Sequence, residues 1–136
     1  MTHCIVADID GTICTKTGVQ SYGYWEKALE QSPPKPIIPM RMLLQAAAHG
    51  GMHIIYSTAR REAVRALTKN WLEQHAFPTP SHLFMRPDDL RLAQDVLKLR
   101  YHTQMEKIGW QPIVWFEDDA TTVEALRLRG IHAILC

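Results

Sequence analysis

The chain has little cysteine, no marked charge excess and no long apolar run, and each shortfall removes a class of protein. Three cysteines, Cys4, Cys14 and Cys136, stand far apart with no Cys-x-x-Cys among them. That argues against a disulfide framework or a zinc site and for reduced thiols. A formal net charge of +1 gives no global field of the kind that draws a protein onto nucleic acid, although a local basic patch stays open. No apolar segment reaches membrane-spanning length, and no basic-then-apolar signal segment opens the chain. The expected compartment is therefore the cytoplasm, with no membrane partner. Internal repeats and low-complexity tracts are also missing. What remains is 136 residues, 46% hydrophobic and 21% charged, a composition ordinary for one soluble domain with a sizeable core.

Apolar runs alternate with stretches of helical spacing. Strands are expected at His3 to Ile9, His53 to Ser57, His82 to Met85, Pro112 to Phe116 and Ile131 to Leu135. Helices are expected at Pro39 to Ala48, Arg60 to His75, Leu90 to Met105 and Thr121 to Arg129. In the second helix Val64, Leu67, Trp71 and Leu72 share one face. Gly50-Gly51 and Gly130 stop helices before strands. This alternation predicts an α/β fold, a doubly wound parallel sheet of about five strands with right-handed crossovers. The least regular stretch, residues 13–39, holds Gly18, Gly23 and four prolines, with a short helix-like piece at Tyr24 to Gln31.

The most informative residues are Asp8-Ile9-Asp10-Gly11-Thr12, directly after the apolar run Cys4 to Ala7. Gly11 supplies a turn, and Thr12 places a hydroxyl beside it. Ligands of open α/β sheets collect at the carboxyl ends of strands, which is where this pair falls. Two carboxylates that close repel unless a cation lies between them or one is protonated. The pair therefore suits a hard divalent metal, or a nucleophile next to an acid; a polar turn without chemistry is the bland alternative. A second acidic group, Glu117-Asp118-Asp119, ends the strand Val114-Trp115-Phe116. Packing does not explain three acids there, because buried carboxylates are costly unless paired or metal-bound. Asp119 could equally cap the helix that follows.

Asp-x-Asp-Gly-Thr after a first strand resembles the signature of the haloacid dehalogenase superfamily, most of whose members are Mg2+-dependent phosphatases. The resemblance extends over nearly the whole chain. It implies that Thr58, chosen over Ser57 by motif register, hydrogen-bonds a phosphoryl oxygen, although Thr58 would also suit a helix N-cap. It implies that Lys98 points back at the nucleophile. It implies that Asp118 is a metal ligand, with Glu117 or Asp119 supporting it. Residues 13–39 would form a flap, with no room for a large cap. The open site that results suits a bulky substrate or closure by a second subunit, so a homo-oligomer is one expectation.

A narrower likeness is carried by Leu83-Phe84-Met85-Arg86-Pro87-Asp88-Asp89-Leu90-Arg91 followed by Asp95-Val96-Leu97-Lys98. These segments resemble the 3′-phosphatase domain of bacteriophage polynucleotide kinase, with Glu117 standing where that group tends to have Asp. No Gly-x-x-x-x-Gly-Lys-Ser/Thr is present, so the resemblance implies phosphatase without kinase activity. The implied mechanism has Asp8 as nucleophile and Asp10 as general acid and base. Mg2+ would lie among Asp8, the Asp10 carbonyl and Asp118, and Thr58 and Lys98 would clamp the phosphoryl group. Thr12, Arg60, Arg86 and Arg91 are the expected substrate contacts, and nucleic-acid 3′ ends the expected substrate. Two alternatives stand beside this: hydrolysis of nucleotides or other small phosphates, and a receiver-type phospho-acceptor domain. Trp25 is the tryptophan expected to stack on a base, while Trp71 and Trp115 are expected in the core.

Overall fold

The structure, a computed structural model, describes residues 1–16 and 32–136. The expected short helix at Tyr24 to Gln31, and Trp25, lie outside the described residues. Five strands form one parallel sheet: β1 (Thr2–Asp8), β2 (His53–Arg61), β3 (His82–Arg86), β4 (Trp110–Glu117) and β5 (Ala133–Leu135), in the order β3-β2-β1-β4-β5. The helices are α1 (Ile38–His49), α2 (Arg65–Gln74), α3 (Gln94–Lys107) and α4 (Ala120–Leu128). No helix among the described residues is long and apolar enough to cross a membrane.

Both faces of the sheet are covered, as a parallel sheet requires. Along β1 the side chains alternate. Ile5 and Ala7 join one core with Leu44 of α1 and Trp71 and Leu72 of α2. Cys4 and Val6 join the other with Leu97, Tyr101 and Met105 of α3 and Val123 and Leu126 of α4. Trp71 and Trp115 lie in these cores as expected. Burial also pushes the Cys4 thiol up to about 12, so it stays a neutral, inert packing group at neutral pH.

The chain first winds outward from β1 through β2 to β3, then crosses back to lay β4 on the other side of β1. The winding direction thus reverses between β1 and β4. A crevice opens at the carboxyl ends of strands where such a reversal occurs. Asp8 ends β1 and Glu117 ends β4, and Ala7 lies opposite Phe116 in the register. The topology alone brings the two acidic motifs together.

Several boundaries depart from the sequence reading; β4, for one, begins at Trp110 rather than Pro112. β2 runs on to Arg61, so the expected helix from Arg60 begins as a 3-10 turn at Glu62–Val64 and becomes α-helical at Arg65. Thr58 therefore lies inside a strand and caps no helix; its hydroxyl accepts from the Arg60 amide at 3.1 Å. α3 starts at Gln94 rather than Leu90, because the Arg86 guanidinium holds the carbonyls of Leu90 and Leu92 at 3.3 and 2.8 Å. β5 begins at Ala133 rather than Ile131.

Candidate active site

β1 stops at Asp8, and the Ile9 carbonyl then accepts from the amides of Thr12, Ile13 and Cys14. Gly11 makes that turn with φ +84, a conformation that L side chains resist. Its missing Cβ matters for a second reason. An atom there would strike the Asp118 carboxylate and come within 2.8 Å of the Lys16 Cε. The bare backbone of Gly11 is what lets Asp118 approach the β1 turn.

Lys98 is at the centre of the site. Its ammonium donates to Asp8 Oδ1 at 2.9 Å, to Glu117 Oε2 at 2.9 Å and to the Ser57 carbonyl at 2.8 Å. Lysine carries three N–H donors, and all three are used. The group is fully buried together with Asp8 and Glu117. Burial would lower the Lys98 pKa, but the Asp8 and Glu117 carboxylates outweigh it and raise it. Asp8 goes the other way from an ordinary acid: burial raises it strongly, against the pull of Lys98. Its second oxygen accepts from Thr12 Oγ1 at 3.3 Å.

Asp118 stands across from Asp8. Oxygens of Asp8, Glu117 and Asp118 lie within 4.8 Å of one another, a group able to hold a metal ion among the described residues. Burial favours protonation of Asp118, but hydrogen bonding to Asp8 and Lys16 outweighs it and lowers its pKa. Lys16 pairs with Asp118 at 2.9 Å while its own side chain is 58% exposed. The donor set is all oxygen and anionic, which suits a hard divalent cation such as Mg2+. Asp119 plays the other part foreseen for it: Oδ2 accepts from Thr122 N at 3.0 Å and Thr122 Oγ1 at 2.6 Å, capping α4. Between the two neighbours of Asp118, the structure thus places Glu117 in the acidic group.

Asp10 is turned away from that group and toward Arg60. The guanidinium grips it in a two-point fork, Nε to Oδ2 at 2.9 Å and Nη2 to Oδ1 at 2.7 Å, and Nη1 reaches Thr68 Oγ1 at 3.1 Å. Arg60 is 1% exposed, so the expected direct contact with substrate does not fit; it braces Asp10. Arg86 departs in the same way. It is buried and donates to the carbonyls of Ala59, Leu90 and Leu92, tying down the segment before α3. Arg91 is exposed on that segment. Thr12 is buried against Asp8.

Four participants escaped the sequence reading. Tyr101 donates to the Thr58 carbonyl at 2.8 Å; it lies three residues after Lys98, on the same helix face, and that spacing was a usable signal. Thr68, Cys14 and Lys16 offered none. Cys14 Sγ contacts the Ile9 carbonyl and Asp10 Oδ1 at 3.5 and 3.7 Å. Ser57, set aside in favour of Thr58, has a buried hydroxyl with no hydrogen-bond partner among the described residues, in register with Asp8.

An acidic pair on the central first strand, a buried lysine from the helix before β4 and acids at the end of β4 define a haloacid dehalogenase-type phosphatase. This order sets aside the receiver-type alternative, which needs its phospho-acceptor after a middle strand of the sequence and its lysine after the last. Residues 2–135 match the family described as the Polynucleotide kinase PNKP phosphatase domain, and the chain belongs to that family. A curated relative from Autographa californica nuclear polyhedrosis virus, "Putative bifunctional polynucleotide kinase/RNA ligase", is 24% identical over 85% of this chain and 16% of its own length. A subunit in a solved "Pnkp1/Rnl/Hen1 RNA repair complex" superposes with a TM-score of 0.86 at 18% identity, over 99% of this chain and 42% of that one. A class C acid phosphatase from Bacillus anthracis gives 0.70 at 14% identity, over 98% of this chain and 65% of that one. The chain thus spans about a sixth of the curated relative and under half of the RNA-repair subunit.

Proposed function

We propose that this domain removes terminal 3′-phosphates from polynucleotides through a phosphoenzyme on Asp8. The observation that carries the chemistry is the Lys98 bridge. It holds the Asp8 carboxylate in one orientation at the strand end, within 4.8 Å of Asp118 and Glu117 oxygens. The polynucleotide part rests on family membership and on the relatives whose names concern polynucleotide kinase and RNA repair.

Asp8 attacks phosphorus, and the bond from phosphorus to the 3′ oxygen breaks. Asp10 gives its proton to the departing alcohol, then takes one from the water that attacks the phosphoenzyme. That second attack breaks the bond to Asp8 and releases inorganic phosphate. Arg60 anchors the Asp10 carboxylate, and the transfers require one of its oxygens to leave that fork. Lys98 offsets charge on the phosphoryl oxygens as they gather at Asp8. Thr58, or the Ser57 hydroxyl, which has no partner among the described residues, donates to one of those oxygens. A divalent cation held by Asp8, the Asp10 carbonyl and Asp118, with Glu117 behind them, would neutralise the phosphate and polarise its phosphorus.

One observation favours a second reading. Arg60 and Arg86, which would have tracked a nucleic-acid backbone, make hydrogen bonds inside the protein, which favours nucleotides or other small phosphates. Phosphate release with Mg2+ from a 3′-phosphorylated oligonucleotide, a mononucleotide and an aryl phosphate decides between them. A clear preference in kcat/KM for the oligonucleotide supports the 3′-end reading. Equal or faster turnover of the small phosphates moves the function to metabolite hydrolysis. Asp8→Asn should abolish all three activities while leaving the fold intact, and retained activity would refute the nucleophile.

A further inference from the structure

Among the described residues two lysines meet the acidic group, and they differ in how firmly they are held. Lys98 is sealed on all sides, with three acceptors and no exposure. Lys16 lies at the mouth, and its ion pair with Asp118 leaves 58% of the side chain in water. The Asp118 side chain is only 9% exposed, but a lysine mostly in water is held less firmly than a sealed one, because solvent screens it and its flexible stem loses rotamer freedom in pairing. Yet its position is specific. The Lys16 stem and the Asp118 carboxylate both pack over Gly11, in space that any Cβ would fill.

Charge balance gives this placement a consequence. With all three ionised, as cation binding requires, the carboxylates Asp8, Glu117 and Asp118 face two ammonium groups among the described residues, so one negative charge is left over. A divalent cation entering beside Lys98 would balance the three acids without Lys16. The ammonium on Asp118 is then superfluous and close to a like charge. A phosphate dianion arriving afterwards restores a demand for positive charge at the mouth.

Resting on the cation site of the proposed function, we infer that Lys16 is a built-in competitor for the divalent cation, holding Asp118 until the cation displaces it and then turning to the phosphate oxygens of the substrate. The residue thus links cation loading to substrate capture. The substitution that separates these roles is Lys16→Met, which keeps the stem and removes the charge.

The test is Mn2+ binding to the substrate-free protein, read from the electron paramagnetic resonance signal of free Mn2+. Lys16→Met should bind Mn2+ tighter by up to about fivefold, the size of an exposed ion pair removed as competitor. Lys16→Arg should stay close to wild type. At saturating Mn2+, Lys16→Met should raise KM for the phosphorylated substrate more than it lowers kcat. Unchanged or weaker Mn2+ binding in a folded Lys16→Met protein would overturn the Lys16 inference alone. Failure of the wild type to bind Mn2+, or binding that survives Asp118→Asn undiminished, would overturn the cation site on which it rests.

Discussion

The floor and the mouth of the site use the same interaction under opposite conditions. On the floor, Lys98 meets Asp8 and Glu117 at 2.9 Å with no exposure. At the mouth, Lys16 meets Asp118 at the same 2.9 Å with most of its side chain in water. Equal distances do not mean equal energies. Buried, the pair cannot lose a member without stranding a charge in a medium that will not solvate it. At the mouth, water readily takes over the exposed Lys16 ammonium, although Asp118 itself is only 9% exposed. The floor is therefore built to stay, and the mouth to exchange.

The largest effect should come from breaking the floor. Lys98→Met leaves two buried acids unpaired and should cost about 3–5 kcal/mol of stability, measured by urea unfolding. Adding Glu117→Gln in the same chain should recover part of that loss, since one stranded charge is gone. No recovery would mean that Lys98 acts through packing rather than charge.

Next is the wall between the two regions. Gly11→Ala forces a methyl group into the space of Asp118 and Lys16 and strains a positive φ. A cost of about 1–3 kcal/mol is expected, together with loss of Mn2+ binding measured as above. Asp119→Ala removes the α4 cap and should cost about 1 kcal/mol in thermal unfolding, with phosphatase activity nearly kept. That outcome would separate Asp119 from its neighbour Asp118. At the mouth, Lys16→Met should change stability by less than about 1 kcal/mol, in contrast to Lys98→Met.

The smallest effect lies away from the site. Burial holds His102 below its ordinary pKa, with Glu106 raising it only in part. The unfolded chain therefore binds the proton more readily than the native one. Stability from this group is complete above the ordinary histidine range and falls as pH drops through it toward the lowered native value. His102→Gln should flatten that part of a stability–pH profile, and an unchanged slope would place the dependence elsewhere.

Much of this arrangement was legible in the sequence because it follows from strand order. Asp8 ends β1, Asp10 and Asp118 closely follow β1 and β4, and Lys98 lies on the helix before β4, where periodicity and motif spacing locate them; Thr58 was located by motif spacing alone, since β2 continues past it to Arg61. The arginines were not legible. Arg60 and Arg86 stand beside motif residues, and sequence spacing cannot say whether a fork points outward to substrate or inward to Asp10 and backbone carbonyls. That choice is made by the continuation of β2 to Arg61 and by Thr68 on α2, both settled in three dimensions. Lys16 was invisible for a related reason. It has no periodic neighbours, and it reaches Asp118 only because Gly11 leaves room.

Whether Asp8 carries the phosphoryl group is decided by an acid-quenched single turnover with a substrate carrying radiolabelled terminal phosphate. Label should stay bound to the wild-type protein as an alkali-labile acyl phosphate, mapped to Asp8 by peptide mass spectrometry, with neither label nor phosphate release in Asp8→Asn. Full phosphate release by Asp8→Asn would contradict it.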